Sequence, residues 1–321
     1  MKITFGNIQF KVAVAYLTIC FVTMPISYFF CVDKTKYANT QTAQIALNDP
    51  GTKVCMYKNI VRDNLDQSQL NKYIFGSEEV YYFTKNAPDS TVQNVCRTYL
   101  FGTDKYGRDV YSRIVIAMRY TLLVALFSVI FALLIGLILG ACAGYFGGKM
   151  DQLINVMINI FWSIPTILLA FAVLFTFGRN MVSIFIAIAL TMWSDIARLV
   201  RAQVLYYKQM NFVQSGIALG FSHFRILFSH IVPNIMNPVW ISCASNFALA
   251  VLLESGLSFM GLGLPAPIPT LGNILQEQYP YAIAGKPLLA IIPSIVVVLL
   301  ILSFQIIINH FRDKWDVRLQ S

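Results

Sequence analysis

Few residues in this 321-residue chain have the types and spacing that chemistry needs. Of three histidines, His223 and His230 stand seven apart and could share a helix face. Neither a third ligand nor an HExxH pattern accompanies them, so no metal site is expected. No GxxxxGK(S/T) loop occurs, so the chain should not itself hydrolyse ATP. No serine carries the glycine frame of a nucleophile elbow, and no catalytic residue is expected. Glu254 is the only charged residue well inside an apolar stretch. Intramembrane acids are functional candidates by default, so Glu254 and Ser258 are candidate pathway or gate residues; a snorkelling or helix-packing acid is the plainer alternative. One acid is thin equipment for proton or sodium coupling. Asp195 precedes Arg198 by three residues, the spacing of an ion pair on one helix face. Together with Arg201 they form the candidate base of a polar loop. Cys55 and Cys96 lie in a long polar segment where they are either bridged or two free thiols. A bridge would stabilise that segment by ~3–4 kcal/mol in the chain-entropy model. Cys20, Cys31, Cys142 and Cys243 fall in or near apolar stretches and read as packing residues.

These residues are positioned by elements suited to a bilayer. The chain is 57% hydrophobic and 12% charged, with a mean hydropathy of +0.64, against about 25% charged for an ordinary soluble protein. No Asp, Glu, Lys or Arg falls in 12–32, 120–148, 152–178, 180–194, 226–253 or 287–311. A spanning helix needs about 20 apolar residues, and the short fourth stretch can extend to Val200 if Asp195 sits near a water interface. The expectation is six membrane-spanning helices. The first is a retained span, since no small-residue cleavage site follows it. With the N-terminus inside, Lys2, Lys11, Lys149, Arg198, Arg201, Lys208, Arg225, Arg312, Lys314 and Arg318 fall in inner segments. Only Arg179 and Lys286 fall in short outer loops, so both termini are expected in the cytoplasm. The net charge of +9 then reflects topology, and no nucleic-acid partner is expected.

The organisation read from this pattern is an N-terminus and first span (1–32), an extracytoplasmic segment (33–119), a five-span core (120–311) and a cytoplasmic tail (312–321). Val110, Ile114 and Ala117 form an apolar stripe beside Arg108, Asp109 and Arg113, predicting an amphipathic helix at the outer interface after glycine turns at 102 and 107. Gly136, Gly140 and Gly144 at spacing four give one face that another helix can approach closely, within the chain or between subunits. Pro165 predicts a kink.

The core also contains a polar loop over 205–235. Asn211 and Gln214 have capping-box spacing, Gly220 suits a left-handed helix stop, and Ser222 is a good next N-cap. Phe224, Leu227, Phe228 and Ile231 follow at helical spacing. Pro233 should limit that helix and open the next span. The prediction is helix, tight turn, helix on the cytosolic side, either a handle gripped by a partner or an inert connector.

The loop resembles that of binding-protein-dependent ABC importer permeases, whose motif reads Glu-Ala-Ala, three residues, Gly, nine residues, Ile-x-Leu-Pro. Gln214-Ser215-Gly216 stands in place of Glu-Ala-Ala, Gly220 matches the Gly, His230 takes the Ile position, and Val232-Pro233 match the close. GTDKYGRDVYSR (102–113), AGYFGGKMD (143–151), ARLVRAQVL (197–205), ESGLSFMGLGLPAPIPTLG (254–272) and FRDKWDVRL (311–319) are similar to the second, C-type permease of the dipeptide/oligopeptide/nickel family. The resemblance implies an all-α, six-span, MetI-like membrane protein of the bacterial inner membrane. It implies a second permease subunit, two ATP-binding cassette subunits holding ATP and Mg, and an extracytoplasmic solute-binding protein as partners, with no cofactor on this chain. The implied ATPase-coupling residues are Asn211, Phe212, Gln214, Ser215, Gly216, Leu219, Gly220, Phe221, Ser222 and Pro233. Peptides are the favoured cargo; a secondary transporter or a membrane scaffold is the alternative.

Overall fold

The computed structural model describes residues 2–59 and 92–320. Residues 60–91, the middle of the segment expected to be extracytoplasmic, lie outside the described residues, as do the side chains of Lys2, Lys314 and Arg318, which count toward the expected orientation. The fold is mostly helical: α1 (Lys2–Thr23), α2 (Ser27–Phe30), α3 (Val110–Phe146), α4 (Gly148–Ser163), α5 (Thr166–Phe177), α6 (Met181–Lys208), α7 (Asn211–Ala218), α8 (His223–Phe259), α9 (Leu271–Ile283) and α10 (Leu288–Gln320). One antiparallel hairpin, β1 (Thr52–Asn59) with β2 (Val92–Tyr99), interrupts the all-α expectation.

By length and composition, four described helices can cross a membrane: α3, α6, α8 and the Leu288–Asp313 part of α10. The pair α4 and α5 adds a fifth if its 94° bend is one broken span. The described apolar part of α1, Ile8–Thr23, is shorter. Where six charge-free stretches predict six spans, the third is therefore not a kinked rod. Ile164 and Pro165 both hold extended ψ angles of 127°, because a residue before proline is pushed out of the helical region, and the helix stops and restarts across them. The short fourth stretch grows into the 28-residue α6. The loop after α8 contains α9, which the sequence does not predict; Thr270 caps it by accepting from the Asn273 amide at 3.2 Å.

The chain divides into two compact units. The first holds Met1–Ala13, Val124–Glu254 and Ile301–Ser321. In it the glycine face of α3 packs on α6: a Cβ at Gly140 would lie 2.4 Å from the Ala197 carbonyl oxygen, and one at Gly136 or Gly144 would lie 2.8 Å from the Trp193 or Arg201 carbonyl oxygen. The stripe therefore serves an intramolecular helix contact. Arg201 then ties α6 to α4 through a bidentate pair with Asp151, at 2.5 and 2.7 Å.

The second unit holds Val14–Leu123 and Ser255–Leu300. Cys55 and Cys96 face each other in the hairpin register and are disulfide-bonded; Cys20, Cys31 and Cys243 are buried free thiols and Cys142 a half-buried one. The predicted interfacial stretch begins at Val110 and runs without a break into the span as part of α3. Its stripe of Val110, Ile114 and Ala117 is buried, and so are its polar neighbours Arg108, Asp109 and Arg113. Gly102 and Gly107 adopt φ of +75° and +73°. Gly107 has no alternative: a Cβ there would lie 1.9 Å from the Thr42 carbonyl oxygen.

Candidate functional site

The polar loop is a short helix and tight turn connecting α6 to α8. Residues 209–210 separate α6 from α7, and Val213 and Gly216 turn the inner face of α7 onto the chain. Asn211, Phe212, Gln214, Ser215 and Leu219 point outward; Phe212 is 43% and Leu219 73% exposed. Asn211 is not the cap. Met210 occupies that position with no side-chain bond, and the Gln214 amide instead donates to the Lys208 carbonyl at 3.2 Å. The far end follows the prediction. Gly220 has φ +77°, its N–H donates to Ile217 O at 3.0 Å, and Phe221 N–H donates to Gly216 O at 3.1 Å. These two bonds are a Schellman closure. Ser222 caps the next helix by accepting from the Arg225 amide at 3.4 Å. The Phe221 ring lies under the Arg225 guanidinium, 4.5 Å away, and stacks on His230 with centroids 5.8 Å apart.

Beyond Ser222 the structure departs from the expected period. Ile226–Ile231 form a π-helical turn, and Val232 N–H reaches back five residues to Leu227 O. The wider turn splits the predicted stripe: Leu227 and Ile231 are buried, while Phe224 and Phe228 are 68% and 42% exposed. Pro233 does not limit the helix, which runs on to Phe259. Its missing donor falls just after this change of register, and the Asn234 side-chain amide donates to His230 O at 2.6 Å. The histidines hold the loop in place: Tyr145 Oη lies 3.0 Å from His223 Nδ1, and Lys208 Nζ donates to Tyr145 O at 2.6 Å.

Asp195 and Arg198 do not form the predicted ion pair. Both turn to Trp162 instead: its indole N–H donates to Asp195 Oδ1, and the Arg198 guanidinium lies 3.8 Å from its ring centroid while donating to Asn159 Oδ1 at 3.3 Å. Arg201 pairs with Asp151, as above. Glu254 is wholly buried. Ser258 is enclosed, its hydroxyl 3.2 Å from Thr270 Oγ1 and its side chain filling the space a Cβ at Gly263 or Gly272 would need.

One cluster, within 104–113 and Glu277, is not evident from the sequence. Asp104 accepts from Arg108 Nε at 2.6 Å and from the Tyr106 and Arg108 amides at 2.9 Å. Arg108 and Arg113 both reach Glu277 on α9, Arg113 at 3.4 Å. Asp109 beside them accepts from Ser112, and burial pushes its carboxyl above the usual carboxylate range. The available signal was the density of charge in 104–113, but its partner lies 164 residues away from Arg113.

A mostly helical protein with several membrane-crossing helices, two of them joined by a rigid exposed helix–turn–helix, has the form of a transport permease. Residues 132–317 match the family described as binding-protein-dependent transport system inner membrane component, and the chain belongs to that family, the transmembrane permease subunits of ABC importers. It is 34% identical over 239 residues to the dipeptide transport system permease protein DppC of Alkalihalophilus pseudofirmus, covering 74% of this chain and 78% of that one. It is 34% identical to the glutathione transport system permease protein GsiD of Pectobacterium atrosepticum, covering 68% and 73%. Against the oligopeptide transport system permease protein OppC of Bacillus subtilis the identity is 30%, covering 70% and 73%.

Proposed function

We propose that this chain forms half of an inward translocation pathway for di- or oligopeptides, set in a bacterial inner membrane with both termini cytoplasmic. The names of its relatives support a peptide-like cargo. The family supports the partners: a second permease, a binding protein that delivers the solute, and two subunits that bind and hydrolyse ATP with Mg. The distribution of Lys and Arg supports the orientation.

The observation that carries coupling is the exposed, apolar outer face of α7, Phe212 and Leu219, on a helix closed at Gly220 and fused to a span at each end. Closure of the ATPase subunits presses on this face. The Phe221–His230 stack and the Schellman turn pass the displacement to α8, and the two-residue link passes it to α6. Those helices then reorient the pathway shared with the second permease.

A cysteine at Leu219 is expected to crosslink to a groove of the ATPase, with a yield that changes when ATP is added. Absence of a crosslink at every position from 214 to 224 sinks docking at this loop. Gly220→Pro removes the donor to Ile217 and forbids φ +77°; uptake should be lost while membrane insertion persists. Uptake that survives loss of the ATPases and collapses with an ion gradient would instead restore the secondary-transporter reading.

A further inference from the structure

The helix break in α4–α5 and the middle of α6 meet at one cavity. It measures about 280 Å³ and is lined by Phe161, Trp162, Thr166 and Leu169 from the broken pair and by Thr191 and Asp195 from α6. Two independent constraints of the bilayer bear on this place. First, α6 runs 28 residues from Met181 to Lys208, and a hydrocarbon core takes about 20 of them. Every 20-residue window within 181–208 contains Asp195; in the window that begins at Met181 and leaves Arg201 and Lys208 inside, Asp195 stands about five residues from the inner edge of the layer. Asp195 is nevertheless exposed, and no described Lys or Arg comes within 4.0 Å of its carboxylate. A charge at that depth faces protein or water, because facing lipid costs several kcal/mol. Second, the extended Ile164–Pro165 step interrupts helical hydrogen bonding. Irregular backbone at membrane depth is tolerated only where it is buried in protein or lines a water-filled cavity.

We infer that this cavity is a solute-contacting site in the translocation pathway, where Asp195 receives an ammonium group of the passing cargo. The inference rests on the permease reading above and deepens it. Trp162 fixes the geometry: its N–H donates to Asp195 Oδ1, and no described residue donates to Oδ2. The same indole holds Arg198 on its face, with Asn159 taking one guanidinium N–H. The guanidinium is stacked on Trp162 and bonded to Asn159, and makes no ion pair within 4.0 Å of the acid. A peptide amino terminus or a lysine-like side chain is the matching chemistry, held weakly enough in a wet site to leave again.

The test is charge-selective labelling in membrane vesicles containing the intact assembly. Thr191 bonds only to Ile188 O of its own helix, at 2.7 Å, so Thr191→Cys is a mild probe. It is placed in a chain whose Cys20, Cys31, Cys142 and Cys243 are replaced by Ser. The ratio of the rates with a quaternary-ammonium and a sulfonate methanethiosulfonate favours the cation at any thiolate; with Asp195 present it should be on the order of threefold higher than in Asp195→Asn. Asp195→Glu should keep the higher ratio. The same Asn variant should lower peptide turnover. No reaction with either reagent, which lipid or the second permease covering this face would produce, overturns the site; so does a charge preference unchanged in Asp195→Asn. Labelling as described in an assembly that takes up no peptide would refute the importer reading and leave the acidic site standing.

Discussion

The glycines of α3 and Gly220 of the polar loop are the same residue used for two different reasons. Along α3 the backbone torsions are helical and any side chain could adopt them, but there is no room: the α6 backbone occupies the place of each Cβ. At Gly220 there is room, with nothing within 4 Å, but the torsion is one that L-residues avoid. The first kind sets how closely two spans approach; the second sets the direction in which a short helix points. Substitutions should separate them cleanly, the first appearing in assembly of the protein and the second in its work.

Gly140→Val is expected to have the largest effect, since its Cβ must displace a backbone carbonyl at 2.4 Å. Overpacking of this kind costs on the order of 3 kcal/mol, and the folded yield in detergent and the melting temperature should both drop. An unchanged melting temperature would mean that α3 and α6 do not touch there. Gly220→Ala should cost about 1–2 kcal/mol locally. Because the turn is exposed, global melting should move little while uptake falls severalfold, and a large fall in melting temperature with normal uptake would reverse the contrast. Arg201→Ala removes the half-exposed pair with Asp151 that ties α6 to α4; a loss of about 1 kcal/mol or less is expected, and high salt should mimic part of it. The smallest effect is at Gly216, where a Cβ would meet Phe221 and Ile226 at 3.5 and 3.8 Å, ordinary contact distances. Gly216→Ala should stabilise α7 by about 0.5–1 kcal/mol and leave uptake intact; destabilisation would show that the inner face of α7 is tighter than it stands here.

Local chemistry was legible in the sequence wherever one residue type decides the backbone. Gly220, Ser222, Gly102 and Gly107 do in the structure what their types predict. The glycine spacing in α3 and the membrane-spanning character of the core were equally readable. What escaped depends on partners distant in sequence or on helix register. Charge-free length cannot distinguish a rod from the broken α4–α5 pair, and Pro165 suggested a kink where two extended residues produce a right-angle break. The Asn211–Gln214 spacing fitted a capping box, but a chain leaving α6 after only two residues puts Met210 at the cap. Pro233 looked like a boundary because the π turn preceding it was invisible. Asp195 and Arg198 had ideal spacing for each other, yet Trp162, 33 residues before the acid, drew both away. Glu277 could not be assigned to Arg108 and Arg113 without the fold.

The wide turn at Ile226–Ile231 has an evolutionary corollary. A π turn is an α-helix carrying one surplus residue, and one residue corresponds to about 100° of helical rotation. This segment is thus where a lineage could gain or lose a single amino acid. Such an indel would spin the Phe224 side of the loop by roughly a quarter-circle or more, re-addressing it to a different ATPase surface, while the lipid-facing numbering of the span beyond Val232 stayed in phase.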